Sequence, residues 1–450
     1  MPYEDDIRAA FNTLAGRAPD ASRVMTAIRT RQSAQARQPR QSAWPAPRPP
    51  RQDRGPRSRA RLLVSLAAAA GVIAVAGIVS LEAAGHQPRS GRPAGAVRWP
   101  VVFVAEGSHV VPVRTATGTA EAPIAIPGAV AYNMAISPGG KGYVDGETSA
   151  VVPVNLVTRT AGRPVRVRGG AGRLAVTPDG RTGYVAEEGG VLPIDMADNH
   201  AEKLIPTRGL FITGLAVTPG SRMLYIGGHL DTIGGPNPPG SGEIVPVQTA
   251  TNTALHPIVF IGESPVQFLV TPGGKTVVIL NTSPGEVRSS VSQINVATGT
   301  VRAPVMIRAR GDVSALVLAP DGKFAYVVSS GSVTPIDLAT NTALPAISLP
   351  AGSGDAYNLV ITPNGKRLYV LTPRKLVPIS TVTGKILTPI GIPGLDYPTA
   401  IAVNPNGKVL YVGSGHAIVP VSTATDRAGS AIALGGTGFS ARPWSFAFRP

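Results

Sequence analysis

The sequence predicts an all-β fold, a β-propeller of four-stranded antiparallel blades closed by its N- and C-terminal strands and preceded by one transmembrane helix. Three observations carry this. A strand–turn–strand motif recurs with its turn proline at Pro138, Pro178, Pro219, Pro272, Pro320, Pro363 and Pro405, at spacings of 40 to 53 residues. A second proline recurs inside a following strand, at Pro112, Pro153, Pro193, Pro246, Pro335, Pro378 and Pro420. Incomplete units stand at the two ends of the repeated region. A period of 40–50 residues with four short strands per unit is a propeller pattern, because a small sheet with two apolar faces is buried only between neighbours.

Composition agrees. The chain has 450 residues, 43% hydrophobic and 15% charged, enough apolar material for a large core. Its 52 Gly and 44 Pro fit many short strands joined by tight turns. With no Cys, disulfides and Cys-type zinc sites are excluded. The net charge of +16 is concentrated in the tail, where residues 1–61 hold 13 Arg against 5 acids.

In chain order, residues 1–30 fit a short amphipathic helical segment, with Ile7, Phe11 and Leu14 on one face and Val24, Met25 and Ile28 on another. It could dock a cytoplasmic partner. Residues 31–61 are an Arg/Pro-rich linker whose composition does not support a packed core. Residues 62–81, LLVSLAAAAGVIAVAGIVSL, form an uncharged run long enough to span a bilayer. Arginine is denser before this run than after it. The expectation is therefore a cell-membrane, single-pass protein with a cytoplasmic N-terminus and an extracytoplasmic propeller. The run is longer than a signal-peptide core, and about sixty residues precede it, so an uncleaved anchor is expected. The arginines read as the basic flank of that anchor; nucleic acid is not expected as a partner. Residues 82–98 are an extracytoplasmic linker, and residues 99–450 are the propeller.

Within the propeller the turns read SPGGKGYV (137–144), TPDGRTGYV (177–185), TPGSRMLYI (218–226), TPGGKTVVI (271–279), APDGKFAYV (319–327), TPNGKRLYV (362–370) and NPNGKVLYV (404–412). Proline followed by Asp-Gly, Asn-Gly or Gly-Gly and then a base is a strand-to-strand turn with a steric basis. The N-terminal fragment WPVVFVAEGSHVVPV (99–113) lacks a first strand, and the C-terminal fragment WSFAFRP (444–450) supplies one. Together they make one blade. Eight proline-strand units result if Gln293 stands in for proline in one of them. They average 44 residues over the 352 residues of 99–450. Eight blades are favoured, with seven as the alternative if one unit is degenerate. Because proline cannot donate to a ladder, its nitrogen should face a gap, at a bulge or at the start of the third strand.

The units TPDGRTGYVA…VLPIDMADN and APDGKFAYVVSSGSVTPIDLATNTA resemble YVTN-type propeller repeats over residues 99–450. Two departures stand out. The Asn after Tyr-Val-Thr is missing, and the middle Val of the VID strand is Pro in seven of eight units. The overall layout also resembles actinobacterial single-pass proteins with an exported propeller. The resemblance implies the propeller fold and leaves two functions open. One is a binding module for a protein, an envelope component or a small ligand. The other is a propeller hydrolase of lactonase type, which needs an acid, an Arg and a His at the channel.

The residues six and five places before each turn proline should ring the channel mouth. Among them Tyr132, Asn133, Arg173, Gln267, Tyr357, Asn358 and Trp444 are the candidate ligand-binding residues. The competing expectation is that they pack blade on blade. Arg173 is present for a lactonase, but no carboxylate or His stands in the aligned positions; Asp312, Asp355 and Asp396 lie just upstream. The six His are not at ligand spacing. No G-x-S-x-G, H-E-x-x-H, phosphate-binding or calcium loop occurs, so neither a metal, a cofactor nor a catalytic residue is assigned. His109 and His416 belong to blades that closure makes neighbours. The largest insertions, Gly227–Glu243 and 282–290, are expected on the mouth face.

Overall fold

The computed structural model describes residues 101–449 apart from short stretches, the longest being 231–240 and 436–442. The expectations for residues 1–30, 31–61, 62–81 and 82–98 lie outside the described residues. Among those described, no helix is long and apolar enough to cross a membrane.

Eight antiparallel sheets follow one another, and each is a blade. Blade 1 is the composite: its inner strand Pro443–Arg449 pairs with Val101–Glu106, in register Val101↔Arg449 through Ala105↔Ser445. The third strand His109–Arg114 follows. Blades 2 to 8 begin with inner strands Asn133–Ile136, Leu174–Val176, Leu210–Val217, Ser264–Val270, Val313–Leu318, Asn358–Ile361 and Pro398–Val403. Closure by both ends of the described chain thus holds, with eight blades rather than seven.

The reason for a ring lies in the second strand of each blade, which is apolar on both faces. In Arg367–Leu371, Leu368 and Val370 pack toward blade 6, while Tyr369 and Leu371 pack toward blade 8. Eight buried clusters result, each drawn from two consecutive blades, and the last joins Val102 and Phe446 of blade 1 to Ile418 of blade 8. A fully buried Val, Leu or Ile contributes about 1.5–3 kcal/mol, so a blade alone would forfeit half of its core.

The turns behave as their residues dictate. In Pro363-Asn364-Gly365-Lys366, Gly365 takes φ 69°, its N–H donates to the Thr362 carbonyl, and the Asn364 side chain accepts from the Lys366 N–H. Gly is the residue that reaches such a φ without a steric cost.

The repeated proline sits in mid-strand rather than at a strand start. Pro335 stands opposite Tyr326, and its carbonyl accepts from the Leu344 N–H on the outer side of the blade. A residue's N–H and C=O point the same way in a strand, so the Pro335 nitrogen also faces outward. There the outer strand is broken: Thr342–Ala343 pairs Asp337 and Ile336, Ile347–Ser348 pairs Val333 and Ser332, and nothing pairs the proline. The same carbonyl bond recurs at Pro112, Pro153, Pro193, Pro246, Gln293, Pro378 and Pro420. The fourth strand is therefore two short pieces in most blades, and in blade 7 two single bridges, at Ile379↔Ile386 and Leu376↔Ile390.

Opposite the proline stands an aromatic in seven blades: Phe103, Tyr143, Tyr184, Tyr225, Tyr326, Tyr369 and Tyr411. Three of the hydroxyls reach into the next blade. Tyr143 donates to Asn199, Tyr184 to Asn252 and Tyr369 to Asp426, at 3.0, 2.8 and 2.7 Å. Each acceptor occupies a positive-φ place in the turn after the third strand. After Tyr225, Tyr326 and Tyr411 that place is Gly299, Gly384 or Gly118, which offers no side chain. Blade 5 departs twice, with Val278 opposite Gln293, and there the Gln293 amide makes the bridge to Asn341 at 2.7 Å.

Blades 4 and 5 are longer than the rest. Part of each predicted insertion is strand: Met223–Leu230 and Gly242–Gln248 take up Gly227 to Leu230 and Gly242 to Glu243, paired up to Leu210↔Leu230. Thr282, Ser289 and Ser290 likewise belong to strands.

Candidate functional site

Five inner strands carry a β-bulge at one position, six residues before the turn proline. The bulged residues are Thr213, Val266, Ser314, Thr399 and Trp444. A bulge inserts one unpaired residue into the strand, here near the start of each inner strand. Two of these side chains lace the ring. Thr213 donates to the Pro265 carbonyl at 2.6 Å and Ser314 to the Ala356 carbonyl at 3.1 Å. Tyr357, at the same place in blade 7, donates to the Pro398 carbonyl at 2.8 Å, and burial holds its hydroxyl pKa well above the usual tyrosine value. Each bond runs from one blade to the next.

The residues one place further along differ more. Gln267 is buried and spends its whole amide on blade 6, accepting from the Leu316 N–H at 2.7 Å and donating to the Leu316 carbonyl at 2.9 Å. It thereby covers backbone groups of an inner edge that no strand pairs. Buried Asn358 accepts from the Leu359 N–H. Ser445 is fully buried with no partner for its hydroxyl. Tyr132 lies outside the described residues. Trp444 is the bulged residue of blade 1.

Asn133 and Arg173 belong to a cluster around the buried carboxyl of Asp145. Asn133 donates to Asp145 at 3.0 Å. Both lie on the face of blade 2 that packs on blade 3, since Ala135 and Tyr143 two places away join that cluster. Arg173 immediately precedes the inner strand of blade 3, and its Nε donates to the Thr213 carbonyl of blade 4 at 2.7 Å. Asp145 is 0% exposed, and burial pushes its carboxyl pKa up to about 7 against the lowering pulls of Asn133 and Arg173. Burial also lowers the Arg173 pKa, with Asp145 opposing. Both shifts favour the neutral form, so desolvation outweighs the pairing. The Asp145 Oδ2 and the Asn133 Oδ1 have no hydrogen-bond partner. An unsatisfied buried acceptor costs about 1–3 kcal/mol.

Of this cluster, Asn133 lines a cavity along the channel whose walls are the inner strands of blades 2 to 5, with Thr213, Val266 and Gln267 at the same end.

Asp145 is the carboxylate that the aligned mouth positions lacked. It comes from the second strand, two places after the repeat tyrosine. Its counterparts there are Ala105, Ala186, Gly227, Leu280, Val328, Leu371 and Gly413. A single charge in an otherwise apolar or small column was the available signal. Of the upstream acids, Asp355 is exposed, while Asp312 and Asp396 lie outside the described residues. His416 is exposed, and His109 contacts only its neighbour Ser108 among the bonds its ring makes, at 3.3 Å. Among the described residues no three His, Asp or Glu side chains group as a metal site.

These features define the class: an eight-bladed β-propeller with a buried acid–amide–guanidinium cluster at one side of its channel. No family model matches the sequence, and no curated protein does. Among solved structures, the Kuenenia stuttgartiensis hydrazine synthase is similar over 67% of this chain and 97% of that one, at a TM-score of 0.52 and 20% identity. Dihydro-heme d1 dehydrogenase NirN in complex with DHE is similar over 80% of this chain and 77% of that one, at a TM-score of 0.63 and 16% identity. At these identities the likeness is one of fold.

Proposed function

We propose that this chain is a membrane-tethered extracytoplasmic binding module of the YVTN-repeat kind. Its propeller takes a small polar ligand at the blade 2–blade 3 side of the channel. The observation that carries this is the pair of buried, unpartnered acceptors, Asp145 Oδ2 and Asn133 Oδ1, of which Asn133 lines the cavity and Asp145 lies behind it, bonded to it. A ligand bearing hydroxyl or ammonium donors would satisfy both and relieve their desolvation. The tether is residues 62–81, and residues 1–30 offer a cytoplasmic contact. Two of the remaining mouth candidates support the ring that carries the site, Gln267 by joining blade 5 to blade 6 and Tyr357 by joining blade 7 to blade 8.

The test is calorimetric titration of the detergent-solubilised full chain with glucosamine and with glycerol, as amine and hydroxyl probes. Heat that is lost in Asp145→Asn and Asn133→Ala while the unfolding midpoint stays within a few degrees supports the site. Equal binding by all three proteins, or none by the parent, removes it.

A hydrolase of lactonase type is the second reading, and Asp145 alone favours it. A carboxyl that titrates near neutrality is suited to general acid–base work. Lactone hydrolysis that stays at the uncatalysed rate from about pH 6 to 8, with and without divalent metal, eliminates it.

A further inference from the structure

The turns between the first and second strands place one base in every blade that has such a turn: Lys141, Arg181, Arg222, Lys275, Lys323, Lys366 and Lys408. All seven are exposed. They sit at the ends of the inner strands, on the face opposite the bulged mouth, and so encircle the other opening of the channel. The only acids in the same turns are Asp179 and Asp321, and each is occupied in accepting from the backbone N–H of its own turn's base, Arg181 or Lys323. The turns after the third strands lie on this face too. They mix signs, with Asp195, Asp198, Asp337 and Asp426 against Arg114, Arg159, Lys385 and Arg427. They also carry two exposed apolar side chains, Val382 at 77% and Val157 at 46%.

Blade 1 has no such turn. At its place in the ring the chain enters the propeller, at Val101, ahead of Phe103. The uncharged run 62–81 ends twenty residues earlier in sequence. An extended stretch of that length reaches about 70 Å at most, and it joins the propeller on this face.

We infer that the ring face is a docking surface for an anionic phospholipid bilayer. The inference rests on the tether reading for its geometry, while its charge and apolar side chains stand without it. Bases near an anionic leaflet are drawn to it within roughly a Debye length. A ring of seven around a rim, with Val382 and Val157 outside it, presents a flat basic face with apolar points. Docked in this way, the propeller turns its mouth and the Asp145 cluster away from the bilayer, toward soluble ligand.

The chain holds no Cys, so single thiols report cleanly. Full chains carrying Val382→Cys on the ring face or Ser108→Cys on the mouth face are labelled with a fluorophore and reconstituted into vesicles with a headgroup quencher. With about 30% anionic lipid the Val382 label should be quenched several-fold more than the Ser108 label. The difference should vanish in neutral lipid, at about 0.5 M salt, and when Lys141, Lys275, Lys323, Lys366 and Lys408 are all changed to Glu. Equal quenching of the two labels on anionic vesicles, or a difference that survives the charge reversal, overturns the docking surface and leaves the tether standing. Flotation of the full chain with neutral vesicles at high pH reports the tether separately. If the chain does not float, the same protein added to anionic vesicles still decides the docking: the charge reversal must lower partitioning by about 100-fold or more. A label response that follows added heparin and ignores lipid would reassign the face to a polyanionic glycan and overturn the lipid assignment.

Discussion

Asp145→Asn isolates one proton. In the folded chain the Asp145 carboxyl keeps its proton up to about pH 7; in the unfolded chain it releases it near the ordinary value of 3.8. Between those limits the folded state binds more protons than the unfolded one, so stability falls as pH rises. The contribution is fully present below about pH 4 and lost once pH passes about 7. About three units at 1.36 kcal/mol each gives roughly 4 kcal/mol. Asn is close to the same shape and does not titrate. It also leaves Arg173 without its neighbouring charge, which shifts the absolute stability of the variant but not its pH dependence through this site. The assay is denaturant unfolding of parent and variant at several pH values from about 4.5 to 8.5, with the difference between them taken at each pH. Other titrating groups cancel in that difference. The parent should lose about 3–4 kcal/mol relative to the variant across the range. Curves parallel to within about 1 kcal/mol would mean that water or a shifted Arg173 solvates the carboxylate, and the argument that desolvation outweighs pairing would be refuted.

Three further outcomes follow from the blade interfaces. Tyr184→Phe removes the hydroxyl bond to Asn252 and should cost about 1 kcal/mol in denaturant unfolding, while Tyr225→Phe, facing Gly299, should cost clearly less. Pro335→Ala should destabilise by less than about 1 kcal/mol, through the unfolded chain alone, because its nitrogen faces the break between two outer pieces; a larger loss would show a contact that the ladder does not reveal. Phe446→Ala deletes a side chain 2% exposed that packs between blades 8 and 1, and should cost about 3–5 kcal/mol; limited proteolysis should then cut first near the joined ends.

The parts legible in the sequence were those with local causes. Pro-x-Gly-Lys turns fix the strand-to-strand reversals by steric rules, and their spacing fixed the phase of every blade, the composite one included. The break in the outer strand was not legible, because it depends on which way each proline nitrogen points. The positions six places before the turn prolines were legible, but the bulge there was not: Thr213, Val266, Ser314 and Thr399 share no side-chain chemistry that announces one. Asp145 stands on a second strand, and only the folded blade brings it beside Asn133 and Arg173 of the inner strands' starts. Its partner Arg173 is forty residues from Thr213, whose carbonyl it holds, a distance in sequence that only the ring closes.

The split outer strands bear on how these molecules behave at high concentration. Every blade ends at the perimeter, and a perimeter strand with an unbroken row of free N–H and C=O groups would be a template for another chain. Eight such edges on one particle could link many copies into a sheet-like network. The outward-facing prolines at Pro112, Pro153, Pro193, Pro246, Pro335, Pro378 and Pro420 hold the edges of their seven blades to fragments of three residues or fewer. A foreign strand would find too few consecutive donors to add on. At high concentration the particles can then sit side by side without fusing.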